Sequence, residues 1–593
     1  MKRILYSALL VVALLLSSAL PAFASPDIGD WTEADAPERV REDDRPDPYT
    51  EHQKELKAQA LDDKLHGKPV GKVHEVAKGQ YVELEREGEN AILTILGEFA
   101  DMKHNEIPVP DRSVDNTTLW VDDFSREHFL DLLFSEEPGA NSMRQFYIEQ
   151  SSNRYAVYGD VSDWIPVSGD AWTYDDDLNS PLGGNAVWYF LDETSDGWYD
   201  SQAAAGMTPE QINAYLSQYD VWDRYDYDGD GDFDEPDGYI DTFQSVHAGE
   251  GNEAGGGILG DAAIWSHSWY VFSNRQGPDG RGPDYNERGG IRIGESDYWV
   301  GKYTIQPENG GVGVFAHEFG HDLGLPDLYD TSGGENGTGF WTLMSSGSWM
   351  GPGLDDIGSK PNHMGVWEKL QLGWLNYELA YAGQKSEHKL GPAETNTKQA
   401  QGLIVVLPDK EVVQGDGSIR TYSHYYVAEF RQYRGFDDTL EVGPYNFGFL
   451  DNPDLGNWVE HFPYQDGLLI HYWDTQQRNN QTRRHPGAGL ILPIDAHPTA
   501  MIRADGGVWR NRIQTYDSTF GFEPTEALTL HWNSEPSYHP SLPAESVFDD
   551  RNSYYDPLNP QGSVIVPNTG TQIRIKSVSA LDSFMQVEVR PAK

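Results

Sequence analysis

The chain has 593 residues, too many for a single hydrophobic core, so two or three domains are expected. Its 95 acidic residues outnumber 43 basic ones and give a formal charge of -52, which argues against nucleic acid and anionic membranes as partners. Because cysteine is absent, a disulfide framework and a thiolate metal site are excluded, and any metal must be held by His, Asp, Glu and carbonyl oxygens.

The N-terminus has the pattern of a signal peptide. Lys2 and Arg3 precede an apolar run over residues 9–20, and Pro21 and the small-residue site Ala22-Phe23-Ala24 follow it. A membrane anchor would need a longer apolar span. We therefore predict that residues 1–24 are removed and that the protein is secreted to the extracellular space, with no membrane span.

Residues 25–89 form an acidic leader. Residues 50–65 are predicted to be helical, with Thr50 and Gln53 as a capping box. Two interpretations remain open for this leader. It is either a pro-segment, which without cysteine must silence a metal through a carboxylate or by steric cover, or a solvated extension with no inhibitory role.

Residues 90–378 are predicted to form the catalytic domain. Residues 91–99 are an almost continuous apolar run, typical of a buried central strand. The strands and helices around this run alternate, which predicts an α+β or α/β fold whose mixed sheet covers the site. The predicted helices are 125–134, 143–150 and 208–219, and the predicted strands are 155–158 and 163–167.

An acidic loop at residues 226–237 has the spacing of a calcium-binding loop. Carboxylates occur at positions 1, 3, 5, 9 and 12 of twelve, and Gly231 stands at the position of the sharp turn. Such a spacing lets six to eight oxygens converge on one ion, whereas an acidic turn that binds nothing is the alternative. Pro236 argues against a flanking EF-hand helix. The predicted ligands are Asp226, Asp228, Asp230, Asp234 and Asp237, with Asp232 through its carbonyl.

Two further segments contain candidate site residues. His267 stands between two tryptophans in a predicted strand, which favours a structural role. The glycine-rich loop 277–290 contains acidic groups that could hold a second ion, and the sequence does not decide this.

The segment 311–344 contains the residues that carry the chemistry. His317 and His321 lie on one face of a predicted helix and can hold one metal ion, while Glu318 on the adjoining face can act on a water molecule. Gly324 is predicted to be a left-handed C-cap, so that the chain turns back and Asp327 supplies a third ligand. A competing assignment uses Glu368 as the third ligand.

The motifs HEFGHDLGLPDLYD, LMSSGSW and KLQLGWL resemble those of the M6 peptidases, the immune inhibitor A family of secreted zinc metallopeptidases, which is related to the metzincins. The resemblance implies an α+β metzincin-like zinc peptidase domain and supports calcium in the acidic loop. Ser346 stands where an auxiliary tyrosine is common, so Tyr329 is considered for that role. The residues implied are His317, His321 and Asp327 as zinc ligands, Glu318 as general base and Met344 as the Met-turn.

Residues 379–593 show short alternating apolar runs separated by turns, which predicts an all-β sandwich or jelly-roll region with one or two subdomains. Packing against the catalytic domain is the favoured role, and docking of carbohydrate or protein is the alternative. The sequence as a whole predicts a secreted zinc endopeptidase that acts on protein or peptide substrates. The alternative is a catalytically silent, calcium-stabilised extracellular binding protein, but the intact Glu318 argues against it.

Overall fold

The structure is a computed structural model that describes residues 43–175, 180–273, 282–283, 288–335 and 337–592. The predicted signal peptide and most of the loop 277–290 lie outside the described residues. None of the helices in the described part of the chain has the length and apolar character required to cross a bilayer.

The described part of the leader contains one helix and one hairpin. The helix is capped by Asp47, whose carboxylate accepts hydrogen bonds from the backbone of Tyr49 and Thr50. The predicted capping box with Thr50 as N-cap is therefore wrong, because the chain already turns at Asp47 and Pro48 takes the first helical position. The elements are α1 Pro48–Leu65, β1 Val73–Ala77 and β2 Gln80–Glu83.

The next part of the chain is built on a mixed five-stranded sheet with the order β4-β3-β5-β9-β6. The first four strands are parallel, and β6 is an antiparallel edge strand. The predicted central strand is β3, but the two strands predicted after it form the single strand β4. The strands are β3 Gly88–Glu98, β4 Tyr155–Pro166, β5 Phe243–His247, β6 His267–Tyr270, β7 Ile291–Arg292, β8 Trp299–Val300 and β9 Lys302–Pro307.

Helices cover both faces of this sheet, which gives a three-layer α/β arrangement. Ile92 and Leu96 of β3 pack with α2, α3 and α7, whereas Leu93 and Ile95 pack with α4, α5 and α6. The central strand is therefore buried on both sides. The helices are α2 Arg126–Phe134, α3 Met143–Gln150, α4 Ala171–Tyr174, α5 Ala186–Ala204, α6 Pro209–Leu216, α7 Val312–Asp322 and α8 Val366–Gln371.

The later part of the chain is rich in β structure, as predicted. A five-stranded sheet (β10-β12-β15-β18-β19) faces a four-stranded sheet (β11-β24-β23-β22), and the two share one core in which the rings of Tyr426 and Phe548 are 4.8 Å apart. This pair of sheets is a sandwich. The strands are β10 Tyr377–Tyr381, β11 Ser386–Leu390, β12 Gly402–Val406, β13 Lys410–Val413, β14 Ile419–Tyr422, β15 His424–Arg431, β16 Tyr445–Asn446, β17 Glu460–His461, β18 Gly467–Asp474, β19 Ile491–Pro493, β20 Leu528–Trp532, β21 Glu535–His539, β22 Val547–Asp549, β23 Thr571–Val578 and β24 Met585–Pro591, and the helices are α9 Thr439–Val442 and α10 Asn511–Gln514.

Candidate metal centre

Helix α7 is packed closely against the loop that follows it, which explains its glycines. A Cβ added at Gly313 would lie 1.8 Å from the carbonyl oxygen of Ser348, and one added at Gly320 would lie 2.5 Å from the sulfur of Met344. Side chains at these two positions would push the helix away from the loop. The helix ends as predicted, because Gly324 has a left-handed backbone (φ +93°) that only glycine adopts without strain.

His317 and His321 point their Nε2 atoms at each other. The Nδ1 atoms lie 2.9 Å from the carbonyl oxygen of Leu343 and 2.8 Å from that of Leu325, respectively. Since a carbonyl only accepts, each Nδ1 carries a proton, and in the neutral ring Nε2 then keeps a lone pair that can bind a metal. The two Nε2 atoms are 3.1 Å apart, with the rings nearly perpendicular at 89°. Two lone pairs so close are stabilised by a cation between them.

Asp327 completes this donor set. Its Oδ1 lies 3.2 Å from Nε2 of His321 and 3.5 Å from Nε2 of His317. Within the described residues this buried oxygen has no hydrogen-bond partner. Bonds of about 2.0–2.2 Å to a tetrahedral zinc ion separate neighbouring ligand atoms by about 3.3–3.6 Å. The three side chains therefore fit a zinc ion in both spacing and chemistry.

A fourth donor, which the sequence reasoning missed, comes from the leader. Asp43 Oδ2 lies 3.7 Å from Nε2 of His317, and one ligand atom from each of Asp43, His317, His321 and Asp327 fits within 4.8 Å. The leader holds many acidic residues, so its sequence offers no signal that distinguishes Asp43 from its neighbours.

Glu318 is buried beside these donors. Its Oε2 has no hydrogen-bond partner in the described part of the chain, so this oxygen remains available to a water molecule or substrate. Burial, together with the negative charge of Asp43, raises the pKa of Glu318 well above its usual range. Burial and the charge of Asp327 likewise raise the pKa of Tyr329, whose hydroxyl is hydrogen-bonded to Asp43. Glu318 and Tyr329 therefore both lie near the carboxylates of Asp43 and Asp327.

The fully buried Met344 lies beneath α7. Its backbone N–H donates to Oε1 of Glu368 at 3.0 Å, and Glu368 also accepts from the backbone of Gly365. Burial raises the pKa of Glu368 to about 7. Glu368, the competing third ligand, therefore accepts hydrogen bonds from the backbone at Met344 and Gly365. It is not a member of the donor group formed by Asp43, His317, His321 and Asp327.

The acidic loop brings together part of the predicted calcium ligands. Oxygens of Asp226, Asp228 and Asp230 lie within 4.8 Å of one another, and a second such group consists of Asp223, Asp228 and Glu235. Asp228 belongs to both groups. Asp223 and Glu235 were missed because Asp223 precedes the twelve-residue pattern and Glu235 occupies a position that the pattern does not use for a ligand.

The carboxylates of Asp232, Asp234 and Asp237 belong to neither of these two groups. The carboxylate of Asp232 accepts from the backbone of Asp234 at 3.1 Å, and Asp234 forms an ion pair with Arg86 at 2.8 Å. Asp237 is buried and accepts from the backbone of Tyr239 at 2.9 Å.

Asp322 connects the metal helix to the acidic loop. Its carboxylate forms an ion pair of 2.9 Å with Arg224, two residues before the loop begins, and both side chains are buried. Because an unpaired buried charge is costly, this pair fixes the end of α7 relative to the loop. His267 is part of β6, and its Nε2 lies 2.9 Å from the hydroxyl of Tyr303, which is consistent with the structural role favoured for it.

Comparisons with known proteins give two matches to family models. Residues 78–375 match the family described as Immune inhibitor A peptidase M6, catalytic domain, and residues 419–587 match Immune inhibitor A-like metallopeptidase, VEG domain. Immune inhibitor A of Bacillus thuringiensis subsp. alesti is 36% identical, over 82% of this chain and 90% of the relative. Pre-pro-metalloprotease PrtV from two strains of Vibrio cholerae serotype O1 is also 36% identical, over 48% of this chain and only 30% of PrtV.

Proposed function

This chain belongs to the immune inhibitor A family of M6 peptidases and is a metalloendopeptidase, and from this premise we propose that it is a secreted zinc enzyme whose ligands are His317, His321 and Asp327. The observation that carries the zinc assignment is the convergence of two Nε2 atoms and one aspartate oxygen that has no hydrogen-bond partner among the described residues. Protein chains are its substrates, as the peptidase family implies.

In the proposed mechanism Glu318 is the general base. His317, His321 and Asp327 would hold a zinc ion, whose Lewis acidity would polarise the scissile carbonyl and acidify a water molecule. Glu318 accepts the proton of the attacking water on its unpartnered Oε2 and returns it to the leaving amine. Leu343 and Leu325 fix the two imidazoles by accepting from Nδ1, which keeps both Nε2 lone pairs on the metal side.

Calcium is the second proposed cofactor, with Asp226, Asp228 and Asp230 as its core ligands and Asp223 and Glu235 as additional oxygens. Support comes from the two overlapping oxygen groups, which repel each other without a cation. Asp234 and Asp237, also predicted from the spacing, have protein partners for their carboxylates, whereas Asp232 is proposed as a ligand through its backbone carbonyl oxygen. The Arg224 to Asp322 ion pair then transmits the position of this loop to α7.

The proposed domain limits are 1–24 for the signal peptide, 25–89 for the leader, 90–378 for the catalytic domain and 379–593 for the β region. Secretion rests on the N-terminal pattern of Lys2, Arg3 and the apolar run that follows. The favoured role of the β region is to stabilise the catalytic domain by packing against it near the Met344 turn.

Replacing Glu318 by Gln tests the mechanism. We expect the Glu318→Gln variant to keep one zinc per chain and to lose at least about 100-fold in casein cleavage, because general base catalysis contributes about 10² to 10⁴. Both proteins are first treated identically with a trace of trypsin, so that processing is matched, and zinc is measured by atomic absorption.

The control is Glu127→Gln, the same change at an exposed position of α2. It should cleave casein like the wild type. Undiminished cleavage by Glu318→Gln would overturn the proposed mechanism and favour another base.

A further inference from the structure

A further group of possible metal ligands lies in the β region. Asp495, His497 and Asp517 each offer one ligand atom, and these atoms lie within 4.8 Å of one another. Asp495 and His497 follow closely after β19, and Asp517 is the last residue of a short helical turn at 515–517. The backbone N–H of Ala496 donates to the carbonyl oxygen of Ser518 at 3.2 Å, which joins the two segments.

The two carboxylates of this group lack a sufficient positive charge nearby. Asp495 and Asp517 are buried, with only 6% and 3% of their surface exposed. Within the described part of the chain no lysine or arginine forms an ion pair with either carboxylate, and His497 is their basic partner. A protonated imidazole would still leave one buried negative charge uncompensated, which is costly. A divalent cation would neutralise both carboxylates.

The contacts of the His497 ring also point to a cation. Its Nε2 lies 3.0 Å from the carbonyl oxygen of Pro543 and therefore carries a proton, since a carbonyl only accepts. Nδ1 lies 3.1 Å from the carbonyl oxygen of Asp517 and 3.4 Å from Oδ2 of the same residue. In the neutral ring the lone pair of Nδ1 is repelled by these two oxygens unless a cation lies between them. A metal-bound histidine commonly donates its other N–H to a backbone carbonyl, as Nε2 does here.

The donor set suits manganese(II). Calcium takes oxygen ligands, whereas this group includes an imidazole nitrogen. Carboxylate and carbonyl oxygens, which make up the rest of the group, suit manganese better than zinc. Octahedral bonds of about 2.1–2.4 Å separate adjacent ligand atoms by about 3.0–3.4 Å and opposite ones by about 4.2–4.8 Å. The contacts of His497 Nδ1 at 3.1 and 3.4 Å match adjacent positions, and the 4.8 Å spread of the whole group admits an opposite pair.

Ser518 offers a further oxygen beside the group. It follows Asp517 directly, and its carbonyl is bonded to the residue between Asp495 and His497. Its side chain is fully buried, and its hydroxyl has no hydrogen-bond partner among the residues that the structure describes. Such a buried hydroxyl is normally paired, so a water molecule on a bound ion would satisfy it.

The group lies where the two sheets of the sandwich end. β19 is an edge strand of the five-stranded sheet, and β22 is an edge strand of the four-stranded sheet. His497 follows β19, and Pro543, which accepts from its ring, lies shortly before β22. An ion bound to His497 would therefore connect one edge of each sheet, with a direct bond on one side and the Pro543 hydrogen bond on the other.

We propose that Asp495, His497 and Asp517 bind one manganese(II) ion that fastens the edges of the two sheets to each other. The ligands are the carboxylates of Asp495 and Asp517 and Nδ1 of His497, with the carbonyl oxygen of Asp517 as a fourth. The site is separate from the zinc and calcium sites proposed above, because it lies in the segment that matches the VEG domain.

The test uses the full chain carrying Glu318→Gln, which prevents self-cleavage, loaded with zinc and kept in excess calcium. Manganese(II) is added, and pulsed electron paramagnetic resonance detects the nitrogen modulation that a coordinated imidazole produces. We expect one manganese ion per chain to show this modulation. Manganese that replaces calcium in the acidic loop gives none, because no histidine is among the ligands proposed there. Manganese should also raise Tm, because an ion that binds only the folded chain stabilises it.

Variants identify the ligands. His497→Gln should abolish the nitrogen modulation, and Asp517→Asn should weaken manganese binding by at least about tenfold. Asp495→Asn should weaken it similarly and serves if Asp517→Asn folds poorly. His485→Gln changes a half-buried histidine of the β region outside the donor groups and should behave like the parent.

The measurement on the parent chain decides the proposal even if every variant folds poorly. No imidazole-bound manganese in the parent at saturating manganese would overturn the site, and so would modulation that persists in His497→Gln. Zinc is measured on the same samples by atomic absorption. A chain that keeps its zinc but shows no such manganese would refute this site alone and leave the proposed peptidase centre intact.

Discussion

At the scale of single residues, the centre combines two imidazoles with one carboxylate. As a proposed ligand, Asp327 stands where metzincins commonly have a histidine, and its charge would partly neutralise a bound ion and reduce its Lewis acidity. A weaker Lewis acid depends more on other groups that stabilise negative charge in the transition state. Tyr329 is the candidate for this role, because its hydroxyl is hydrogen-bonded to Asp43, whose carboxylate lies 3.7 Å from Nε2 of His317.

Replacing Tyr329 by Phe therefore tests a direct catalytic role. We expect Tyr329→Phe to lower kcat by about 100-fold with little change in KM, the effect of losing one donor to an oxyanion. Zinc content should remain at one per chain. Tyr158→Phe, at an exposed position of β4, is the control, and an unchanged kcat in Tyr329→Phe would exclude this residue.

At the scale of elements, α7 and the Met344 turn form one unit. The helix lies so close to the loop that two of its glycines have no room for a side chain, and Glu368 holds the turn through its hydrogen bond to the Met344 backbone. A glycine costs about 1 kcal/mol in a helix interior relative to alanine. The glycines are nevertheless required here, because only residues without a side chain allow the close approach that places the Leu343 carbonyl against His317.

Gly313→Ala should disturb this unit. The added methyl group would overlap the Ser348 carbonyl oxygen, and we expect a loss of about 1–3 kcal/mol in the free energy of unfolding. The measurement is the midpoint of urea unfolding. Gly353→Ala is the matched control, since a Cβ there meets nothing within 4 Å and its effect should stay within about 0.5 kcal/mol. Equal midpoints for the two variants would contradict the close packing.

The acidic loop and the aspartates just before it should make the stability of the chain depend on pH and on calcium. Burial raises the pKa of Asp220 and of Asp223 to about 6, above the unfolded value of about 3.9. Between these values the folded chain binds more protons than the unfolded chain, so in a calcium chelator stability should fall as pH rises from about 4 to about 6. Calcium binds the ionised carboxylates, so its gain in Tm should be larger at pH 7.5 than at pH 5.

Asp228→Asn should remove most of this calcium-dependent gain in Tm, because Asp228 belongs to both oxygen groups. Asp232→Asn changes a carboxylate of the same loop that belongs to neither group, and it should keep the gain. The two variants are compared by thermal unfolding with calcium and with chelator. A gain in Tm that is the same at both pH values would contradict calcium binding in this loop.

At the scale of the whole molecule, a buried arginine of the β region contacts the loop that contains Met344. Arg431 of β15 is fully buried, donates to the carbonyl oxygen of Trp341 at 2.9 Å and pairs with Asp437 at 2.7 Å. Glu394 and Glu429 lie 3.5 and 3.6 Å from the same guanidinium. Trp341 precedes Met344 by three residues. The guanidinium of Arg431 in the sandwich therefore holds the loop that packs against α7.

Arg431→Met should therefore destabilise the whole chain. It leaves Asp437, Glu394 and Glu429 buried without their shared cation, and breaking such a network costs about 3–5 kcal/mol. Urea unfolding measures the loss. Arg420→Met, at an exposed position of β14, should change the midpoint little, and equal midpoints for both variants would argue that the two parts of the chain are energetically independent.

The sequence by itself determined the features that depend on local geometry. His317, Glu318, His321, Gly324 and Asp327 lie within eleven residues, so helical periodicity and one glycine turn were enough to predict which of them could meet. The central strand and the β-rich region at residues 379–593 followed from apolar patterns of the same short range.

Only the tertiary structure decided what joins residues far apart in the chain. Asp43 reaches Asp327 across 284 positions, and Glu368 turned out to hold the Met344 turn. Spacing alone also could not show that the buried carboxylate of Asp237 bonds to the Tyr239 backbone, or that Asp223 lies beside Asp228 and Glu235. The physical reason is that the sequence around an acidic residue can be the same whether its carboxylate binds a cation, caps a helix or pairs with lysine. Which of these it does depends on the groups that folding brings beside it.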